Sequence, residues 1–479
     1  MSDETCYLSI SELTQAYTKG ELSPLEVAKQ TLERLHSVEP FINAFSQLNE
    51  ETTLEQARAS EARWRRGEQK GVLDGVLYSV KDTLAAKGFA TRRGSKITSD
   101  APAQENAPIV QRMVDGGAII LGITTTPEFG GGPVTISPLS GITRNAWNPD
   151  MTSGGSSGGA GASIASGIGQ VALATDAGGS IRIPAALNGI VGVKATGCRV
   201  PTYPGNVAGG LSSPGPLVRR VRDAAVVMNA IARPDYRDPD ALPDDGKDYL
   251  AELEAGVLGL KIAYSPTLGY ADEVDPEVAQ AVEAAVETLA GLGAHIEEVD
   301  PPMGRPMDIY KTLFTSGFVH ALSKLTSEQE AELGRELQDI LQYGRTVTLS
   351  GYMSAHDERR ALALRLSQFH LTYDLLVTPS VAVPAFPAEL RQPKHFEKYA
   401  ETRAWVPFGF PFNLTQQPAA SIPCGFSSQG LPIGMQIVGP RFGDALVLRA
   451  ARAYEMAAGW ADRRPAFEDF QSGYVSDRV

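Results

Sequence analysis

The chain has 479 residues, 43% of them apolar, and a formal net charge of -13. That much apolar sequence can bury a substantial core in one large domain or in two to three ordinary ones, and the negative charge argues against nucleic acid or an anionic membrane as partner. No charged and apolar leader opens the sequence, runs such as Ala118 to Leu121 are too short to span a bilayer, and Cys6, Cys198 and Cys424 are widely scattered, which predicts a cytoplasmic protein with three thiols.

In chain order, Ser9 and Glu12 form a capping box, Ser23-Pro24 opens a second helix, and a third is predicted over Leu54 to Arg66. Residues 1–66 are therefore read as an N-terminal helical segment packing on the core. From Gly75 to about Ala232, short apolar strands (Val76 to Val80, Ala118 to Thr124, Val171 to Thr175, Ile190 to Lys194) alternate with helices near Ile109 to Val114, Gly158 to Ser166 and Ser180 to Leu187. Such alternation implies an α/β core. Pro234 to Asp248 is a Pro/Asp-rich connector. Strands at Lys261 to Tyr264 and Ile296 to Val299 flank an amphipathic helix from Pro276 to Leu292, residues 306–372 are mainly helical, and Tyr373 to Pro379 and Leu431 to Val438 return to core strands.

Three blocks carry the chemistry. Val76, Leu77, Tyr78 and Val80 form an apolar strand that takes Lys81 at its end into the interior, where burial disfavours the ammonium and lowers its pKa. Gly154-Gly155-Ser156-Ser157-Gly158-Gly159 is too glycine-rich for a helix or strand interior and invites backbone angles that other residues cannot reach. Ser180 follows Ala177-Gly178-Gly179, whose N–H groups could converge into an anion-binding concavity. A serine needs a base to become a nucleophile. All six histidines lie outside Lys81 to Pro184, so Lys81 is the candidate base, Ser156 the relay and Ser180 the nucleophile of a hydrolase.

The three blocks, in this order, resemble the amidase signature family, whose members share a Ser-(cis-Ser)-Lys triad. The separations of 75 residues from Lys81 to Ser156 and 24 from Ser156 to Ser180 agree with that family. The segments IVQRMVDGGAIILGITTTPEF, GITRNAWNP, YDLLVTPS, PFNLTQQPAASIPCG and GLPIGMQIVGP extend the likeness over roughly residues 70 to 230 and 373 to 455. The resemblance implies a central mixed, twisted sheet covered by helices on both faces. One compact domain over 67–479 is implied, with a catalytic core at about 70–232, a helical excursion at about 300–372 and a C-terminal core at 373–460. It also implies a cis Gly155-Ser156 bond, the Lys81, Ser156 and Ser180 triad, and an oxyanion hole from Ala177, Gly178, Gly179 and Ser180. Gly130, Gly131 and Ser156 fall where the family binds substrate. Ile123 and Thr125 stand where the family often has Lys and Asn, and Gln416 where it often has Gly.

Other chemistries find less support. Gly154 to Gly158 formally satisfies G-x-S-x-G, but the preceding Asn145 to Ser153 is polar and carries a proline where a nucleophile elbow needs a buried strand. No phosphate-binding glycine loop stands between a strand and a helix, and no two histidines sit four apart, so neither a cofactor nor a metal is expected. Asp176 and Arg182 read as an ion pair supporting the nucleophile loop. Tyr310, Phe314 and Phe318 recur at helical spacing and read mainly as core; any that face the site make it apolar, and the glycines of the Gly130-Gly131-Gly132-Pro133 loop leave room for a bulky or aromatic group. Hydrolysis of neutral aryl or alkyl amides through an acyl-enzyme follows, with esters and carbamates (urethanes) in range of the same chemistry. The expected partner is a small-molecule substrate, and a homodimer is allowed. The alternative is the amidase-like glutaminase subunit of a tRNA-dependent amidotransferase, against which Ile183 stands where those subunits carry glutamine.

Overall fold

The computed structural model describes residues 3–205, 207–399 and 403–467; the end of the 67–479 stretch, 468–479, lies outside them. Its strands are β1 (Phe45–Leu48), β2 (Leu77–Lys81), β3 (Ile119–Thr124), β4 (Ile136–Ser137), β5 (Gly141–Ile142), β6 (Val171–Asp176), β7 (Val191–Lys194), β8 (Ser213–Val218), β9 (Lys261–Tyr264), β10 (His295–Glu298), β11 (Leu375–Pro379), β12 (Ala419–Phe426) and β13 (Pro432–Val438). Eleven form one sheet in the order β1-β3-β2-β6-β8-β7-β12-β13-β11-β9-β10, and β4 pairs with β5 apart from it. The sheet is mixed: β3, β2 and β6 run parallel, as do β11, β9 and β10, and antiparallel strands join the two groups.

Burial on both faces explains why the central strands read as apolar runs. Along β2, Leu77 packs with the small-residue helix Gly158–Ala165, while Tyr78 and Val80 belong to the opposite core with Ile109, Val110 and Met113. Alanines and glycines let that helix lie close to the sheet, and every residue in it is buried. A third cluster joins the helix Pro306–Ala321 to Val381, Trp405 and Phe410. The helical excursion thereby covers one end of the sheet.

The Ser9–Glu12 capping box forms, and Ser23 makes a second with Glu26. The N-terminal segment is not purely helical, however: Phe45–Leu48 pairs with β3 as an edge strand, and four residues are too few to show a period. The third helix starts at Glu50, capped by Asn49, rather than at Leu54. Ser213–Val218 is a strand that its composition conceals, because Pro214 and Pro216 are rare in central strands. It is tolerated because β7 pairs only with Leu217 and Val218, so both prolines lie beyond that ladder.

Candidate active site

Lys81 ends β2, and Asp176 ends the parallel neighbour β6, so both reach the same carboxyl edge of the sheet, where α/β folds place their sites. The Lys81 side chain is fully buried, and its Nζ donates to Ser156 Oγ at 2.7 Å. Thr175 adds its Oγ1 at 3.2 Å and its carbonyl at 3.4 Å, a partner the sequence did not signal. Loss of hydration pushes the lysine down to about 7, against a smaller upward pull from Asp176. The amine therefore sits where it can take and return a proton at neutral pH. The Gly155-Ser156 peptide bond is cis, as the resemblance implied.

Ser180 does not open a helix; the helix is Arg182–Asn188, and Ser180 lies in the turn before it. Asp176 decides this. Its Oδ1 accepts from Gly179 N at 2.8 Å, and its Oδ2 from Ile181 N at 3.1 Å, which satisfies donors at the helix start. The Gly179 N–H, expected to face an oxyanion, is thus engaged by Asp176 instead. Among the described residues, the N–H groups of Ala177, Gly178 and Ser180 have no backbone acceptor. Gly178 has a steric role as well, because the Tyr310 hydroxyl occupies the space a Cβ would need.

Asp176 also forms the expected buried pair with Arg182, at 2.9 Å to Nε and 2.8 Å to Nη2. Burial alone would raise its pKa; the Arg182 charge and hydrogen bonds from Arg182 and Asn413 hold it well below the usual carboxylate range. Gln436, Asn413 and the Gly409 carbonyl complete the guanidinium's shell. Replacing Asp176 by Asn leaves that cation buried without its counter-charge. A stability loss of about 3–5 kcal/mol is expected, read as a lowered denaturant midpoint.

The pocket at Ser180 is lined by Gly130, Gly132, Pro133, Gly178, Ile183, Tyr310, Phe314, Val406, Phe410 and Arg403. Tyr310 and Phe314 stack with centroids 5.0 Å apart, and Tyr310 lies 5.0 Å from Phe410. Two members of the aromatic stripe thus face the site, whereas Phe318 stays in the core. Gly130 touches Ser156 Oγ, with 3.4 Å to the place of its missing Cβ. Gly131 does not line this pocket: its carbonyl accepts from Arg403 Nη2 at 2.5 Å, and it borders an adjoining cavity. Ser156 is all but buried behind Gly130, away from the pocket lining, with its Oγ against Lys81 Nζ. The glycine pattern could locate this loop, but nothing local in sequence pointed to Arg403, Val406 or Phe410, which arrive from more than 200 residues away.

Ile123 is core in β3, Thr125 is hydrogen-bonded to Thr143 at 2.6 Å, and Gln416 packs on Gly197; none reaches the pocket. Among the described residues no disulfide joins the cysteines, no group of three His, Cys, Asp or Glu could hold a metal ion, and no helix is long and apolar enough to cross a membrane.

A buried lysine with near-neutral affinity for protons, bonded to a serine beside a glycine-walled cleft, is the equipment of a hydrolytic enzyme. Residues 26–448 match the amidase family model, and the chain belongs to that family: it is an amidase, which hydrolyses amide C–N bonds. It is 34% identical over 466 residues to an acylamidase of Rhodococcus erythropolis, covering 96% of this chain and 97% of that one. It is also 34% identical over 488 residues to a subunit of the glutamyl-tRNA(Gln) amidotransferase of Chloroflexus aggregans, covering 96% and 99%. The structure of a bacterial aryl acylamidase of the amidase signature family superposes with a TM-score of 0.88 at 30% identity, covering 95% of this chain and 98% of that one.

Proposed function

We propose that Ser180 is the nucleophile of a hydrolase for neutral aryl or alkyl amides, with Ser156 as relay and Lys81 as base. The observation that carries the reading is the 2.7 Å contact between a fully buried lysine amine and Ser156 Oγ. In its neutral form the Lys81 nitrogen accepts the Ser156 proton while Ser156 Oγ accepts that of Ser180, whose oxygen bonds to the amide carbon. The N–H groups of Ala177, Gly178 and Ser180 stabilise the resulting oxyanion. Lys81 then returns the proton through Ser156 to the departing amine nitrogen. Water attacks the acyl-enzyme with the relay run in reverse and frees Ser180.

The pocket supports a neutral substrate, because among the described residues its side chains are apolar or aromatic apart from Ser180 and Arg403, and the Arg403 guanidinium is engaged by the Gly131 carbonyl and the Phe314 ring. Esters and carbamates present the same acyl carbon and are included. The three thiols support a cytoplasmic setting. A panel of anilides, aryl esters, aryl carbamates and small aliphatic amides tests the reading: kcat/KM is expected to favour aryl or alkyl amides, and activity confined to small charged amides would refute it. The equal identity to the amidotransferase subunit favours a second reading, a glutaminase working in a complex. Free glutamine carries an ammonium, and among the described residues no carboxylate side chain lines the Ser180 pocket to receive it. Glutaminase activity appearing only with partner subunits would select that reading instead.

A further inference from the structure

Beyond the Ser180 pocket, past Pro133, Tyr310, Phe314 and Arg403, lies a cavity of about 550 Å³ that these four residues share with it. That volume falls within the usual range for a small-molecule site. A second cavity, of about 230 Å³, sits beside it against Gly131, Gly132, Ile136 and Pro138. Glu336 and Arg391 line both.

Between the two cavities, Arg391 Nη1 donates to Glu336 Oε2 at 2.5 Å, joining the start of the helix Arg335–Gly344 to the segment after β11. The Glu336 carboxylate lies over the Gly132 backbone, its oxygens 2.7 Å from where a Cβ would stand. The helix start is held in place from behind: Glu128 Oε2 accepts from Gly334 N at 2.7 Å, and its Oε1 from Ser95 Oγ at 2.5 Å. A charged pair is thus set across a fixed frame, directly against the glycine loop of the pocket. We infer that the Glu336–Arg391 pair is a crossbar that separates the side cavity from the substrate cavity and so limits the length of substrate group the enzyme accepts.

The inference rests on the reading of Ser180 as nucleophile, since that makes the larger cavity part of the substrate path. Both side chains are partly exposed, at 48% for Arg391 and 26% for Glu336, so the pair contributes little to stability and its position is what matters. With the two side chains cut back, the cavities merge past Gly132. Longer groups then gain apolar contact with Ile136, Leu337 and Pro138.

The experiment compares kcat/KM of wild type and an E336A/R391A variant on two series, acetanilides with para-alkyl groups of increasing length and anilides with increasing acyl chains. The ratio of longest to shortest substrate is expected to rise fivefold or more in one series, through KM rather than kcat. The charge-swapped variant Glu336→Arg with Arg391→Glu is expected to restore the wild-type ratio. A ratio within fivefold of wild type in both series overturns the crossbar. Arg391→Ala, cut at the more exposed end, decides the matter by the same ratio if the double variant does not fold. The nucleophile reading fails separately, through activity surviving in Ser180→Ala.

Discussion

Replacing Ser180 by alanine is expected to lower amide turnover on the order of a million-fold, leaving only what transition-state hydrogen bonding and substrate positioning supply. The size follows from the residues acting as one unit. If Ser180 is the proposed nucleophile, its loss leaves no covalent step for Ser156 and Lys81 to serve, and their arrangement accelerates nothing further. The fold should survive, because the loop is held by Asp176 through the backbone of Gly179 and Ile181 and through Arg182, not by the serine side chain. Steady-state hydrolysis of an anilide, together with an unchanged thermal transition, checks both parts. Near-normal turnover would remove Ser180 from the mechanism.

The second large effect is expected at Lys81. A guanidinium does not give up its proton at accessible pH, so Lys81→Arg keeps a cation but loses the base, and turnover should fall about a thousand-fold or more. Lys81→Met, which keeps length and removes the amine without forcing a larger cation into a fully buried site, should be as inactive and better folded. The wild-type pH profile supplies an independent reading. Burial lowers the lysine to about 7, and a lysine base works as the neutral amine. Its fraction grows as pH rises through that value, so kcat/KM should climb with pH on an acidic limb near 7 and then level off. An activity that stayed flat between pH 5 and 9, or that fell across this interval, would contradict a lysine base.

Much of the site was legible because its parts are local. Glycines at 154, 155, 158 and 159 and the Gly178-Gly179-Ser180 run mark places where backbone, not side chain, does the work, and an apolar strand ending in lysine predicts a buried amine. The Asp176–Arg182 pair was legible too, six residues apart and confirmed by direct contact. Gly179 differs from its expected role because an N–H that points at an oxyanion and one that points at a carboxylate three residues back look alike in sequence. Only the turn shows that Asp176 takes it. Gly131 departs from expectation for a related reason: its neighbours line the pocket, while its own carbonyl turns toward Arg403, which stands 272 residues later in the chain.

The strands show the same division. Apolar runs located β2, β3, β6 and β7 to within a residue at either end, since those strands are covered on both faces and need apolar residues throughout. Prolines hid β8, and shortness hid β1.

From the residue string alone came the type of chemistry, the three triad candidates, the α/β class and the family, because each depends on residue identity at fixed spacing. Tertiary structure alone decided which N–H groups remain without a backbone acceptor, which aromatic rings turn toward Ser180, and where the Glu336–Arg391 bar crosses the cleft. The first is settled by a turn within a few residues of Asp176 and the others by segments from 55 to more than 200 residues apart, and no local pattern records where such groups meet.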